Sequence, residues 1–203
     1  KSSRSFGACT YCGVFRRTLL NRAARRLKVD KLAMGHNLDD AAQTVLMNLM
    51  RNEPARLARF GPGAIMREGR AKGRGLSPQG GQSSLVPRIQ PLIRCPEKEV
   101  ALYAVLHGIG IHFMSCPNAS EAMRQTVRQQ LNEMEDKYPG TKARIFNAFL
   151  TMQPALLEGM GTDAGAKEIG VCKSCGDASS GDRCAACKLL QSLRLGKKGT
   201  AAG

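Results

Sequence analysis

The chain has 203 residues, with 31 Lys or Arg against 16 Asp or Glu, so its formal net charge is +15. This length fits one domain of ordinary size plus a small module, with a core that needs no disulfide for stability. The charge favours an anionic partner, and nucleic acid is favoured over a membrane because no apolar stretch reaches the roughly 20 residues of a spanning helix. The first residue is Lys and no secretory signal follows, so we interpret the chain as a fragment or processed form.

Helices and short strands alternate along the first 158 residues. The apolar spacing predicts a helix over 12–28, a short buried strand over 31–35 and a helix over about 38–49 that Asn37 caps. Further helices are predicted from Pro96 to His107 and over 142–153, where Pro154 ends or kinks the last one. A strand is predicted over 109–113, and the helix after it carries one apolar face of Met123, Val127, Leu131, Met134 and Tyr138. This order predicts an α/β domain over 1–158.

Three stretches depart from this pattern. Residues 61–86 are rich in Gly, Arg, Ser and Gln without an apolar period, which predicts a flexible insertion. Residues 159–170 are predicted to be a linker. We expect a small zinc module over 171–190 and a basic, Gly-rich tail over 191–203.

Six of the eight cysteines form three C-x2-C pairs, a spacing that favours metal over disulfides in an unsecreted chain. We therefore place the protein in a reducing compartment. Cys172, Cys175, Cys184 and Cys187 have the spacing of a structural zinc site, and the bound metal would supply most of the module's folding energy. Two disulfides are the alternative. Cys95 is interpreted as a small buried apolar residue outside any site.

The remaining pair, Cys9 and Cys12, lies beside Arg16 in a segment, 1–28, that holds eight basic residues and no acidic one. A complete metal site needs further ligands, and Cys116 is the best candidate because it stands between a predicted strand and a predicted helix. Three thiolates on a 4Fe-4S cluster would leave one iron open for another ligand. The alternatives are a dithiol that cycles with its disulfide, a persulfide carrier, or plain structural cysteines.

Acidic residues begin the predicted helix after the strand, in the segment Gly-His-Asn-Leu-Asp-Asp that starts at Gly35. Asp39 and Asp40 could hold Mg²⁺ or act as a base near nucleotide phosphates. The alternative is local: Asn37 and Asp40 have the spacing of an N-cap and its N3 acid. Spacing alone leaves both interpretations open.

Basic side chains predict a nucleic-acid surface. Arg124 and Arg128 lie four residues apart, opposite the apolar face of their helix, where they are either solvated or in contact with phosphate. With only three Tyr, six Phe and no Trp, base stacking should be sparse and backbone contact should dominate. The candidate RNA-binding residues are Arg17, Arg51, Arg124 and Arg128.

Several of these motifs together resemble the ATP-pyrophosphatase-type tRNA thiolases, in particular their cytoplasmic tRNA 2-thiolation group. They are Cys-Thr-Tyr-Cys-Gly-Val-Phe-Arg-Arg from Cys9, Gly-His-Asn-Leu-Asp-Asp-Ala-Ala-Gln-Thr-Val-Leu-Met-Asn from Gly35, Cys-Pro-Asn from Cys116, and the terminal cysteine pairs. The resemblance covers nearly the whole chain except 61–86. It implies part of a parallel-sheet, adenine nucleotide alpha hydrolase-like domain with a C-terminal zinc-ribbon module.

The resemblance also implies an activity. ATP would adenylate the C2 oxygen of the wobble uridine of certain tRNAs, and sulfur would then displace AMP. Cys9, Cys12 and Cys116 would be the cluster or sulfur-handling thiols, Asp40 the catalytic acidic residue, and Arg16 the basic residue that flanks the site. Asp39 and Asp40 together would be the weaker candidates for contact with ATP and Mg²⁺.

The implied partners are tRNA, a second thiolation subunit, a ubiquitin-related modifier as sulfur donor, and a dimer partner, all in the cytoplasm. The family's Ser-Gly-Gly-Lys-Asp-Ser type ATP loop and its N-terminal zinc module are not among these residues. We therefore expect the chain to be N-terminally truncated and inactive alone. A tRNA cytidine thiolase and a non-catalytic RNA-binding zinc protein are the alternative functions.

Overall fold

The computed structural model describes residues 7–61, 85–110, 116–118, 123–159 and 170–197. The chain divides into two compact units, one of residues 1–32, 72–87 and 166–203 and the other of 33–71 and 88–165. The predicted insertion over 61–86, the linker over 159–170 and the strand over 109–113 lie largely outside the described residues. Among the described helices, none is long and apolar enough to cross a membrane.

The first unit combines the beginning and the end of the chain. Its N-terminal helix α1, Ala8–Arg26, begins earlier than predicted and therefore includes both cysteines of the first pair. Near the C-terminus, two short antiparallel strands, β3 (Gly170–Val171) and β4 (Ala178–Ser179), precede helix α7, Ala185–Lys197. The predicted basic tail thus begins inside a helix.

Two short strands form a parallel pair. They are β1, Leu32–Ala33, and β2, Arg88–Ile89. The amide of Leu32 donates to the Pro87 carbonyl at 2.8 Å, and the amide of Met34 donates to the Ile89 carbonyl at 2.9 Å, so the partners advance in the same direction. The strand predicted over 31–35 is present but not fully buried, since Ala33 is exposed. Among the described residues, β2 is its one neighbouring strand.

The second unit is mainly helical. Helix α2, Leu38–Met50, is followed by the short α3, Pro54–Ala58. Helix α4, Glu97–Leu106, follows β2, and the last two helices are α5, Met123–Lys137, and α6, Thr141–Gly159. Parallel strands within a helix-rich chain confirm the α/β prediction, whereas α3 and β2 were not predicted.

Helix α2 is the centre of the core of this unit. Leu38, Ala41 and Val45 lie along one side of α2 and pack against Phe146 and Phe149 of α6. This spacing of three and four residues places their side chains on one face of the helix. Burial of the two phenylalanines stabilises the packing, because each removes a large apolar surface from water.

A second cluster joins α2 to α5. Ala42 and Met47 of α2 pack against Val127 and Leu131 of α5. These two α5 residues belong to the predicted apolar face and are buried. Met134 and Tyr138 of the same predicted face are exposed, so the contact covers only the first half of α5. Helix α2 is therefore packed between α5 and α6.

Pro154 does not end its helix. Helix α6 continues through Pro154 to Gly159, so termination, one of the two predicted effects, is wrong. The side chain before the proline helps to explain why the helix continues. Gln153 is buried and donates to the carbonyls of Ala58, at the end of α3, and Phe60. This attachment fixes α6 one residue before the position at which proline removes a backbone donor.

Candidate functional site

The acidic turn at the start of α2 forms a complete capping box. The amide of Asp40 donates to Oδ1 of Asn37 at 3.0 Å, and the amide of Asn37 donates to Oδ2 of Asp40 at 3.3 Å. The local interpretation of this motif is confirmed. The interaction also fixes the side chain of Asp40 at the N-terminus of α2.

The cap does not use all of Asp40. Its other oxygen, Oδ1, faces the Arg124 guanidinium at 3.4 Å, and 35% of its side chain remains exposed. Asp40 lines a cleft of about 110 Å³ together with residues of α2, α4 and α5, which are Asn37, Asp39, Gln43, Glu97, Arg124, Gln125 and Arg128. A capping carboxylate that keeps one oxygen at the edge of an open cleft can still bind a ligand there.

Asp39 faces the protein instead. Its Oδ2 accepts from the amide of Glu97 at 2.7 Å, and its Oδ1 forms a buried ion pair with Lys142. Lys142 also donates to Oδ1 of Asn132 at 2.7 Å. The Asp39 carboxylate thus connects the first turns of α2, α4 and α6. Because both of its oxygens are used in these contacts, Asp39 is poorly placed to hold Mg²⁺. Sequence reasoning missed Lys142, because it lies 103 residues from its partner in the chain.

The two predicted phosphate-binding arginines of α5 lie at the cleft, each paired within the protein. Arg124 donates to Gln43 at 3.0 Å and to the hydroxyl of Thr44 at 3.1 Å, in addition to its contact with Asp40. Arg128 donates to both carboxylate oxygens of Glu97 at 2.9 Å. Their side chains are each 44% exposed, so both cations can be reached from solvent.

The thiol candidates lie on accessible surface. Cys9 and Cys12 are in the first turns of α1, three residues apart, so their Cβ atoms are about 5–6 Å from each other. Both are exposed, as is Cys116, and none of the eight cysteines forms a disulfide. Arg16 and Arg17 follow on α1 and are exposed. Arg51, at the C-terminal end of α2, is also exposed.

The four C-terminal cysteines form a compact cluster. Their Sγ atoms all lie within 4.8 Å of one another, and those of Cys175 and Cys184 are 3.6 Å apart. Four sulfurs around one Zn²⁺ at about 2.3 Å stand about 3.8 Å from each other, so the arrangement fits a tetrahedral metal. Backbone amides support the sulfurs, since Cys184 N–H donates to Cys172 Sγ at 3.2 Å and Cys187 N–H donates to Cys184 Sγ at 3.5 Å.

Proton affinity differs among these thiols. The backbone hydrogen bond from Cys184 lowers the pKa of Cys172 to about 6, so this sulfur is a thiolate at neutral pH. Burial raises the pKa of Cys175 and of Cys187, and these thiols must lose protons when a cation binds. Metal affinity should therefore rise with pH across the neutral range.

Comparison with known proteins identifies relatives along most of the chain. No model of a protein family matches it. It is 37% identical over 193 residues to the tRNA 2-thiolation protein NcsA of Haloferax volcanii, a match that covers 95% of this chain and 57% of the relative. It is 36% identical over 189 residues to cytoplasmic tRNA 2-thiolation protein 1 of Drosophila grimshawi, covering 93% and 49%.

The name of a third relative specifies the base on which that protein acts. It is the tRNA-5-methyluridine(54) 2-sulfurtransferase of Pyrococcus horikoshii, 34% identical over 184 residues, with 89% of this chain and 52% of the relative covered. Among solved structures, the U34-tRNA thiolase NcsA from Methanococcus maripaludis with its [4Fe-4S] cluster matches 95% of this chain and 55% of that one. Its TM-score is 0.65 at 28% sequence identity.

The chain spans about half the length of the curated relatives it matches. Over that half, sequence similarity and the shared helix-rich α/β fold agree with each other and with the resemblance of the motifs. The chain is therefore a homologue of the tRNA 2-thiolation proteins, and it has the fold of the corresponding part of the NcsA thiolase.

Proposed function

We propose that this chain is the sulfur-handling part of an ATP-dependent tRNA sulfurtransferase that 2-thiolates the wobble uridine. The match to a thiolase described with its [4Fe-4S] cluster, over 95% of this chain, carries the proposal. The exposed thiols of Cys9, Cys12 and Cys116 support it, because a cluster ligand must be accessible to iron.

Cys9, Cys12 and Cys116 are the proposed ligands of a 4Fe-4S cluster. Such a cluster, when bound, supplies an iron without a protein ligand, where a sulfur donor can bind. Thiolates are the ligands that iron–sulfur clusters require, and two of the three stand one turn apart on a helix that fixes their spacing. The alternative for the same residues is a persulfide carried by Cys9 or Cys12.

Asp40 is the proposed catalytic carboxylate. The C2 oxygen of uridine attacks the α-phosphorus of ATP and pyrophosphate leaves. The carboxylate of Asp40 takes the proton that N3 of the base loses in this step. A hydrosulfide ion from the sulfur donor then adds to C2, and the bond between C2 and the adenylated oxygen breaks as AMP departs. The proton of the new thiol moves to N3, which gives the 2-thiouracil base. The second carboxylate oxygen of Asp40, which does not accept from the Asn37 amide, and the position of Asp40 at the cleft support this role. Asp39 positions the turn through its contact with Lys142.

Basic residues are proposed to bind the tRNA backbone. Arg16 flanks the thiol pair, and the further candidates are Arg17, Arg51, Arg124 and Arg128. All five are exposed, and each phosphate contact adds affinity that weakens with salt. We propose further that zinc occupies the four-cysteine cluster and that the complete protein binds ATP and Mg²⁺. It would act as a dimer in the cytoplasm, with a second subunit and a ubiquitin-related modifier that donates sulfur.

A second candidate function is 2-thiolation of 5-methyluridine at position 54. The relative from Pyrococcus horikoshii supports it. The wobble position is favoured because the structural neighbour is a U34-tRNA thiolase. Mass spectrometry of nuclease fragments of the tRNA separates the two, since positions 34 and 54 lie in different fragments.

Anaerobic reconstitution of the complete gene product tests the cluster. With iron and sulfide, the protein should turn brown and hold about four irons per chain. Cys116→Ser should lose the visible absorption, because the cluster then lacks a ligand. Cys95→Ser is the matched control and should keep it. A colourless wild-type protein that binds zinc alone would remove the cluster from the proposal.

A further inference from the structure

Helix α1 and the four-cysteine module share an apolar contact. Val14 and Phe15 of the helix pack against Cys172, Cys184 and Ala186 of the module. All of these residues belong to one compact unit. The four-cysteine cluster therefore packs against the helix that carries the exposed thiol pair, at a position that starts two residues after Cys12.

Farther along the same helix, two arginines form ion pairs with one largely buried carboxylate. Nε and Nη2 of Arg22 are each 2.6 Å from Oδ2 of Asp177, and Nη1 of Arg25 is 3.5 Å from Oδ1. The Asp177 side chain is only 12% exposed, so it depends on these partners. The hydrogen bond to Asp177 raises the pKa of Arg22, with a smaller contribution from Cys175.

Asp177 also belongs to the segment between Cys175 and Cys184, which joins the two cysteine pairs. Its carbonyl oxygen accepts from the amide of Cys172 at 2.8 Å, which closes the first knuckle, and Cys175 Sγ lies 3.5 Å from its carboxylate. One residue thus joins the backbone that shapes the cluster to the helix beside it. Four thiolates around a divalent cation carry a net charge of about −2, which the neighbouring arginines complement.

The sequence of α1 makes it dependent on such support. Its N-cap Gly7 provides no side-chain hydrogen bond, and no acidic residue lies in its first turn. Arg22 stands three and four residues before Arg25 and Arg26, spacings at which like charges destabilise a helix. A helix of 19 residues with these features is marginal on its own and gains its stability from packing.

We propose that Asp177 is a positioning residue that couples the metal-loaded module to α1 and thereby holds the helix end with Cys9 and Cys12. When the loop is shaped by its metal, Asp177 is presented to Arg22 and Arg25, and α1 stays folded. When the loop unfolds, the carboxylate is withdrawn and α1 loosens. The inference rests on the proposed function only for the role of the two cysteines.

Hydrogen exchange of the zinc-loaded full chain, followed by mass spectrometry, tests this coupling. Asp177→Asn keeps the shape and the backbone bond but removes the charge. Its zinc content should equal that of the wild type, while the amides of α1 exchange about tenfold faster. Asp182→Asn is the matched control: it lies in the same loop, but its pair with Lys173 is exposed, and α1 should be unaffected.

Two further measurements complete the test. None of these exchange measurements needs tRNA or ATP, so their result does not depend on thiolation activity. Removal of zinc from the wild type with a chelator should accelerate exchange in α1 at least as much as Asp177→Asn does. In the double variant Arg22→Gln with Asp177→Asn, the amides of α1 should exchange only slightly faster than in either single variant, because both substitutions remove the same ion pair. Unchanged exchange of α1 in zinc-loaded Asp177→Asn would overturn the proposal, as would loss of zinc from that variant, because Asp177 would then act on the module itself.

Discussion

Replacing Lys142 with methionine should lower the free energy of unfolding by about 3–5 kcal/mol, because the change leaves the buried Asp39 carboxylate without its cation. Lys142 and Asp39 have side chains only 7% and 5% exposed. The loss should appear as a lower midpoint in urea denaturation, with little change in the dependence on urea concentration.

The matched control is Lys98→Met. Lys98 pairs with Asp136 at 3.0 Å, but both side chains are largely exposed, so removal of the charge should have little effect on stability. In the double variant Lys142→Met with Asp39→Asn, the loss should be smaller than the sum of the single losses, since neither charge remains buried alone. Equal stability of Lys142→Met and Lys98→Met would contradict the assignment of this contact as the joint between α2 and α6.

Replacing Cys184 with serine should abolish metal binding by the C-terminal module. The site then lacks one of its two buried cysteines, and metal binding supplies about 10 kcal/mol or more of folding energy in small modules of this kind. Zinc content should fall by about one ion per chain. Amides over 170–190 should then exchange at the rate of an unfolded segment.

Ser174→Ala serves as the control for this change, because Ser174 lies between two cysteines of the same knuckle and is exposed. The Ser174→Ala variant should keep its zinc, and the amides of the module should stay protected from hydrogen exchange. If the amides of the module stay protected from exchange in Cys184→Ser, the module folds without metal. The four cysteines would then have a role other than structural metal binding.

Features set by neighbours in the chain were predictable. The capping box at Asn37 and Asp40 follows from a spacing of three residues, and α1, α2 and α5 follow from apolar periodicity. The compact set of four sulfurs follows from two C-x2-C pairs. In each of these cases the interactions that fix the structure are local or repeat with the helix period.

Features set by distant residues were not. Strand β2 has two residues, and its existence depends on pairing with the segment of β1, where the Met34 amide donates to the Ile89 carbonyl, rather than on its own composition. The partner of Asp39 is 103 residues away, and the arginines that bind Asp177 are more than 150 residues away. Helix α7 did offer a signal, since Ala186, Leu189 and Leu193 recur at helical spacing across the boundary between the predicted zinc module and the predicted basic tail.

The most direct test of the proposed activity uses mass spectrometry of tRNA nucleosides. Cells should carry the complete gene with Asp40→Asn, which keeps an oxygen for the Asn37 amide but removes the charged carboxylate. We predict that 2-thiouridine falls to background in these cells and stays normal with Asp136→Asn, a change at an exposed acid. Normal 2-thiouridine with folded Asp40→Asn protein would contradict the assignment of Asp40 as the catalytic carboxylate.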